Sequence, residues 1–432
     1  MTIKRASALN SGVKKREVWA WAIYDFANSG YTTVVITAVY SAYFVAVIAG
    51  KAPWASFVWS AALAVSYLAI MLSAPILGAF ADLHGAKKRL LALTTLGCVL
   101  GTAALALPGP GEIALAVALI ALSNFFFGSG ENLIAAFLPE LARGRAMGRV
   151  SGWGWGLGYL GGIVSLGASL AYIHHAQKIG ATAPEFVPGV MLLTAGLFAF
   201  FTLPTFFILR ERTITRPLPS TLPGSAFSRV KESLTHARHF QDLARFLFCI
   251  VFYQAGIMTV ITLAAVYAQQ AMHFTTQQTI VMILVVNITA ALGAFGFGYV
   301  QDKLGHKVSL ALTLIGWLLM VALVYTATTP NRFWLAANIA GLCLGASQSA
   351  GRALVGYLSP KSHRAEFFGL WGWAVKLASI LGPMTYGAVV WITAGNHRMG
   401  MLLTGVYFLI GLIVLTTIDV KRGRRAALRR QM

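Results

Sequence analysis

The chain has 432 residues, of which 57 % are hydrophobic and only 11 % charged, too little polar surface to clothe a water-soluble globule of this size. A net charge of +21 would suit a nucleic-acid partner in a soluble protein. On so apolar a chain it reads instead as a topology signal, and no nucleic acid is implied.

Crossing about 30 Å of hydrocarbon takes roughly 20 helical residues. Apolar runs of that length lie near 22–48, 57–81, 89–107, 112–138, 148–172 and 187–209, and again near 244–269, 278–301, 308–327, 332–357, 366–393 and 398–418. The predicted fold is therefore an all-α membrane protein with twelve transmembrane helices in two bundles of six. The seventeen residues before the first run are polar and basic, and the run is longer than the h-region of a cleavable signal, so no cleavage is expected. An amino terminus in the cytoplasm puts 28 of the 34 Lys and Arg on that side. It leaves Lys51, Lys178, Arg332 and Arg398 outside, with Arg352 and Lys376 inside spans. Both termini are thus predicted to be cytoplasmic. Cys98, Cys249 and Cys343 fall inside spans and read as small buried hydrophobes, with no disulfide or metal spacing.

Four segments follow: a bundle over 1–209, a cytoplasmic linker over 210–243, a second bundle over 244–418 and a basic tail over 419–432. The linker opens with Arg210, Glu211, Arg212, Pro217, Pro219 and Pro223 as an irregular tether. Phe227, Val230, Leu234, Ala237 and Phe240 then recur at three- and four-residue spacing, as in an amphipathic helix on the inner leaflet. A flexible linker with a helical stretch is the alternative.

A ten-residue pattern occurs twice, 220 positions apart: GAFADLHGAK from Gly78 to Lys87 and GYVQDKLGHK from Gly298 to Lys307. Each copy sits on a short connection, after the second span of its half. Gly78 and Gly298 suit close helix approach. Asp82 and Asp302 suit acceptance from free amides at another helix's amino terminus, namely those of spans eleven and five. Gly85 and Gly305 suit a tight turn, and Lys87, Lys88, Arg89 and Lys307 are expected to hold it in the cytoplasm. Trp153-Gly154-Trp155 recurs as Trp371-Gly372-Trp373 at offset 218, and Pro139 as Pro360 at offset 221. Gly154, Gly158 and Gly162 lie four apart, a face for close helix packing. The four tryptophans read as aromatic anchors near the inner interface rather than as substrate-stacking groups.

The repeated loop resembles the signature of the major facilitator superfamily. WAIYDFANSGYTTVV (Trp21 to Val35), AFLPELARGRAMGRVSGWGWGLGYLGG (Ala136 to Gly162) and AEFFGLWGWAVKLASILGP (Ala365 to Pro383) are similar to its vacuole-effluxer-like branch, the autophagy-linked amino-acid effluxers and their bacterial relatives. The resemblance implies alternating access around a cavity lined by spans one, four, seven and ten. It also implies a monomer in a bacterial inner membrane and a small-molecule substrate, with amino acids or related metabolites as one possibility for export. The antiporter Gly-Pro pair is not matched, since Tyr159 follows Gly158.

Four charges lie inside spans, where each costs about 2.5–3.5 kcal/mol on insertion scales: Asp25, Glu131, Arg352 and Lys376. Glu131 maps onto Arg352 at offset 221, so one duplicated position carries opposite signs. Three roles compete for that pair: an inner-gate salt bridge, a clamp on a zwitterionic or anionic substrate, and local neutralisation by Asn132, Gln348 and Ser349. Lys376, near the middle of its span, is the expected ligand for a substrate carboxylate. Asp25, about one turn into span one, is either a carboxylate that exchanges a proton or a cap of that helix. Asn28, Asn132 and Gln254 add hydrogen-bonding groups. No phosphate loop is present, so no nucleotide and no cofactor is expected and the work comes from a gradient. Protons acting through Asp25 or Glu131 are the preferred coupling, facilitated diffusion the alternative. An enzyme is not expected, for want of a nucleophile–base or metal constellation. A lipid transporter or scramblase on the same helices is the remaining class.

Overall fold

A computed structural model describes residues 9–50, 52, 54–212 and 240–429. Twelve long helices run through them. The first bundle holds α1 (Lys15–Tyr31), α2 (Ala55–His84), α3 (Lys87–Ala104), α4 (Ile113–Ala135), α5 (Met147–Lys178) and α6 (Ala183–Ile208). The second holds α7 (Gln241–Met272), α8 (Thr276–Leu304), α9 (His306–Tyr325), α10 (Pro330–Leu358), α11 (Arg364–Ile392) and α12 (His397–Thr416). A short helix, α13 (Val420–Arg429), follows. Ten of the twelve are long and apolar enough to cross a membrane by those criteria alone. The exceptions have visible causes: α3 has 18 residues and opens on Lys87, Lys88 and Arg89, while α10 carries Arg332, Gln348 and Arg352 among small residues.

Two boundaries differ from the sequence reading. The first helix begins at Lys15, not near 22, because Glu17 accepts from the Lys14 amide at 3.1 Å and closes a first turn of polar residues. Asp25 is therefore nearly three turns inside the helix and caps nothing. Past Tyr31 the same span continues as two wide π-helical stretches, Thr32–Ala38 and Phe44–Ile48. The amphipathic helix expected over 227–240 lies outside the described residues except for Phe240, which precedes α7.

Each bundle closes its own ring in a matching way. Glu17 at the start of α1 pairs with Arg212, just past α6, at 2.8 Å. Asp242 at the start of α7 takes two bonds from Arg422, past α12, both at 2.8 Å. Lys88 Nζ donates to the Leu209 carbonyl at 2.6 Å and Lys307 Nζ to the Thr416 and Ile418 carbonyls at 2.9 and 2.7 Å, cations set on helix carboxyl ends. The described part of the basic tail, through Arg429, is docked: Gly423 packs on Leu358 and Asp242, and Arg424 donates to the Tyr357 carbonyl at 2.8 Å.

Between bundles, α2 packs on α11 and α5 on α8 and α10. The closest approaches gather at one end, near the connections around residues 85, 144, 305 and 361. Gly78 lies on the backbone of Ala365 and Glu366, Gly369 on Ala74, Gly148 on Gln301 and Gly152 on Ala294, and a Cβ at any of the four would collide. Small residues let backbones meet where lipid gives no hydrophobic drive. This end, which carries the basic loops, is closed.

Candidate functional site

The repeated loop makes two crossings between the bundles. Asp82 Oδ2 accepts from the Glu366 amide in the first turn of α11 at 3.0 Å. Asp302 Oδ1 accepts from the Arg149 amide in the first turn of α5 at 3.1 Å, and its Oδ2 lies 3.4 Å from Arg149 Nε. A carboxylate on the free amides of a helix amino terminus satisfies donors that have no partner within the helix and meets the positive end of its dipole. Gly85 and Gly305 end α2 and α8 with φ of +60° and +91°, in the region that favours glycine. Gly298 lies against the backbone of Gly148 and Arg149.

Lys87 departs from its expected role. Its side chain is 1 % exposed, bonded to Glu140 and 3.7 Å from Asp82, so it neutralises two buried carboxylates instead of reaching the cytoplasm. Arg89 is exposed. Glu140, absent from the sequence-based candidates, also accepts from the Arg212 amide at 2.8 Å.

The four charges within the spans pair differently from the sequence expectation. Arg352 Nη1 meets Asp25 Oδ2 at 2.6 Å, and Lys376 Nζ meets Glu131 Oε2 at 3.4 Å. Glu131 and Arg352 are equivalent in the duplication, but each takes its partner from a different helix. Arg352 is drawn toward α5 and α1 by further contacts. Its Nε donates to Ser151 Oγ at 3.1 Å and its Nη2 to the Ser151 carbonyl at 2.9 Å, while its Cζ stands 4.7 Å from the Trp21 ring and 5.2 Å from the Trp155 ring. Both pairs join one bundle to the other.

Gly154 makes the first pair fit. A Cβ there would strike the Asp25 carboxylate, the Arg352 guanidinium and the Trp21 ring. Gly158 faces Ser29 and the Asp25 carbonyl, Gly162 faces Thr33, and Gly161 presses on the Phe26 carbonyl. The glycine face thus seats α1, and its first member also cradles an ion pair. Gln254 Nε2 donates to Gln348 Oε1 at 2.6 Å, one turn from Arg352. Asn28 is buried, with an Oδ1 that has no partner among the described residues. Asn132 lies on Gly372, and its Nδ2 is equally orphaned.

Trp155 and Trp371 do not act as interface anchors. The first covers Arg352 and the second is 3 % exposed. Trp153 stacks on Trp19 at 6.0 Å. Sequence reasoning passed over Trp21, Tyr67, Gly128, Glu140 and Ser151. For Trp21 the signal was available, three residues from Tyr24 and four from Asp25 on one helix; Ser151 gave none.

Replacing Asp82 by Asn keeps an acceptor but removes the charge from the α11 amino terminus and leaves Lys87 with Glu140 alone. A charge at a helix end contributes about 0.3–1 kcal/mol, up to about 2 when partly buried. In a background without Cys98, Cys249 and Cys343, a cysteine at Ser349 should label about two- to thirty-fold faster from the basic-loop side in Asp82→Asn. Equal rates would count against a closing role.

Comparisons with known proteins agree with this architecture. The profile of the family described as "Vacuole effluxer Atg22 like" matches residues 144–428. An uncharacterized MFS-type transporter of Bacillus subtilis, YxiO, is 27 % identical over 92 % of this chain and 93 % of its own length. Autophagy-related protein 22-1 of Penicillium rubens is 25 % identical over 65 % of this chain, which spans 50 % of that larger protein. Among solved structures, the human organic anion transporter MFSD10 (TETRAN) superposes with a TM-score of 0.75 at 16 % identity, over 93 % of this chain and 99 % of that one. FucP in its outward conformation gives 0.69 at 13 %, over 93 % and 98 %. With the repeated loops, the glycine-lined contacts and the twelve helices in two bundles, these matches place the chain in the Atg22-like vacuole effluxer family, a branch of the major facilitator superfamily of membrane transporters.

Proposed function

We propose that the chain carries a small solute across the membrane by alternating access and that the structure is the state closed toward the cytoplasm. The observation that carries this reading is that Asp82, Asp302 and the Asp25–Arg352 pair all bridge the two bundles, two of them at the basic end. Opening that end requires these bonds to break together, and a solute bound above them is released when they do. In this reading both termini and the linker face the cytoplasm of a bacterial inner membrane, as the distribution of basic residues implies, and the protein works as a monomer. A proton gradient drives the cycle through Asp25 or Glu131. The effluxer description of the family suits export, and amino acids or related metabolites, which the sequence resemblance implies, are the first substrates to try.

Reconstitution tests the reading. Liposomes carrying the protein, screened with labelled amino acids, other small metabolites and fluorescent lipids with and without a pH gradient, should show saturable movement of a small solute that the gradient accelerates. Movement of lipid alone, or of nothing in the screen, would sink it. Reporter fusions at Gln431 and Arg212 should both give cytoplasmic signals; an external signal at either would overturn the orientation.

A further inference from the structure

The two charge pairs between the bundles are built differently, and the difference separates a fastening from a binding site. Arg352 and Asp25 have side chains 3 % and 11 % exposed, and each guanidinium nitrogen donates, to the Asp25 carboxylate, the Ser151 hydroxyl or the Ser151 carbonyl, while two indole rings lie within 5.2 Å of its carbon. Lys376 and Glu131 are 10 % and 26 % exposed, and a single bond at 3.4 Å joins them. Lys376 is held in place: its Nζ stands 5.2 Å over the Tyr67 ring, and its stem passes Gly128, where a Cβ would lie 3.4 Å from Cε. Glu131, the wetter partner, makes no other hydrogen bond or ion pair among the described residues.

We propose that Lys376 is the ligand for a carboxylate on the transported solute and that Glu131 is a resident anion which the solute displaces. The cation is positioned in advance by Tyr67 and Gly128, and the anion now on it is held by one long bond, so exchange of one carboxylate for another asks little rearrangement. A second donor stands one turn along α11 from Lys376, where Asn132 Nδ2 lies against Gly372, buried and without an acceptor among the described residues. A bound carboxylate has two oxygens for these two donors, whereas Glu131 engages only the first. An amine would have to displace Lys376 from Glu131 and would leave the lysine facing a ring and no anion. The other charged or titratable groups near the pair are Tyr24 and Asp25 on α1 and Tyr67 on α2. Of these, Asp25 is already committed to Arg352.

The inference rests on the transporter reading and is tested so that the two fail separately. Full-length purified protein is heated with matched probes: phenylacetate, phenylacetamide and phenethylamine, then butyrate, butyramide and butylamine. The carboxylates should raise the melting temperature and the amides and amines should not, since a ligand stabilises the state it binds. Glu131→Gln removes the competitor and should lower the carboxylate concentration needed by tenfold or more. Lys376→Gln should abolish the effect, and Lys376→Arg, which keeps the cation, should retain a weakened one even if the glutamine variant fails to fold. Stabilisation by amines or amides as strong as by carboxylates would overturn the assignment. So would a carboxylate effect that survives Lys376→Gln, a loss of binding in Glu131→Gln, or no effect of any carboxylate. Flux of an uncharged solute in proteoliposomes would overturn the carboxylate site and leave the transporter standing, whereas absence of flux for every solute would remove the transporter reading itself.

Discussion

Arg352→Gln should nearly abolish transport and should lower stability more than removal of both charges does. The glutamine leaves the Asp25 carboxylate buried without its cation and empties the space between Trp21 and Trp155. Breaking a buried pair by removing one partner typically costs about 3–5 kcal/mol, whereas replacing both with neutral groups is often close to harmless. The Asp25→Asn, Arg352→Gln double variant should therefore melt several degrees above Arg352→Gln and recover expression. Arg352→Lys should rescue poorly, because an ammonium cannot donate at once to Asp25, Ser151 Oγ and the Ser151 carbonyl or lie flat against two indoles. A double variant no more stable than the single would show that the pair is not the energetic unit described.

Gly154→Val should reproduce that phenotype without touching a charge. The new side chain would occupy the space of the Asp25 carboxylate and the Arg352 guanidinium, and neither can retreat without losing the other. Since the substitution and Arg352→Gln disrupt the same unit, their effects should be far from additive, with the double variant hardly worse than either alone. Gly167 in the same helix is the control. Nothing stands within 4 Å of a Cβ there, so Gly167→Ala should be neutral or stabilising by up to about 1 kcal/mol through helix propensity. Equal damage at both positions would point to helix flexibility and not to the cradle.

Much of this architecture was legible in the chain because membrane physics is strict about length and charge. Twelve apolar runs became twelve helices, and the repeated Gly-Asp-Gly loop marked where the bundles meet. What was not legible depended on side-chain direction. A duplication offset says that Glu131 and Arg352 are equivalent, but equivalence by a pseudo-twofold does not make two side chains meet. Arg352 instead follows Ser151 and two indoles toward Asp25, a contact set drawn from three helices and 327 positions apart in its longest link. Lys87 misled for a similar reason: three consecutive basic residues look like a solvated run, and only the fold reveals that Glu140 lies beside the first of them. Asp25 was misplaced because the charged residues Lys15, Arg16 and Glu17 hid a helical start that Glu17 itself secures.

The ring closures of the two bundles lead to a different kind of conclusion. Glu17 and Asp242 are 225 residues apart and Arg212 and Arg422 are 210 apart, while the duplicated loops and tryptophans repeat at 218 to 220. Counted from the helix ends the two fastenings are in step to within two residues, Glu17 and Asp242 both in the first turn of their helices and Arg212 and Arg422 both just past the last helix of their bundle, so the shifted spacings reflect connection lengths. A tie kept at the same place in both bundles suits the proposed cycle, in which each six-helix ring would move as one piece with its first and last members joined. Since each tie lies within its own ring, severing the chain after Arg212 would leave two closed assemblies held together, among the described residues, by the helix contacts, aspartate crossings and charge pairs between them, the bonds that the proposed cycle would break and remake.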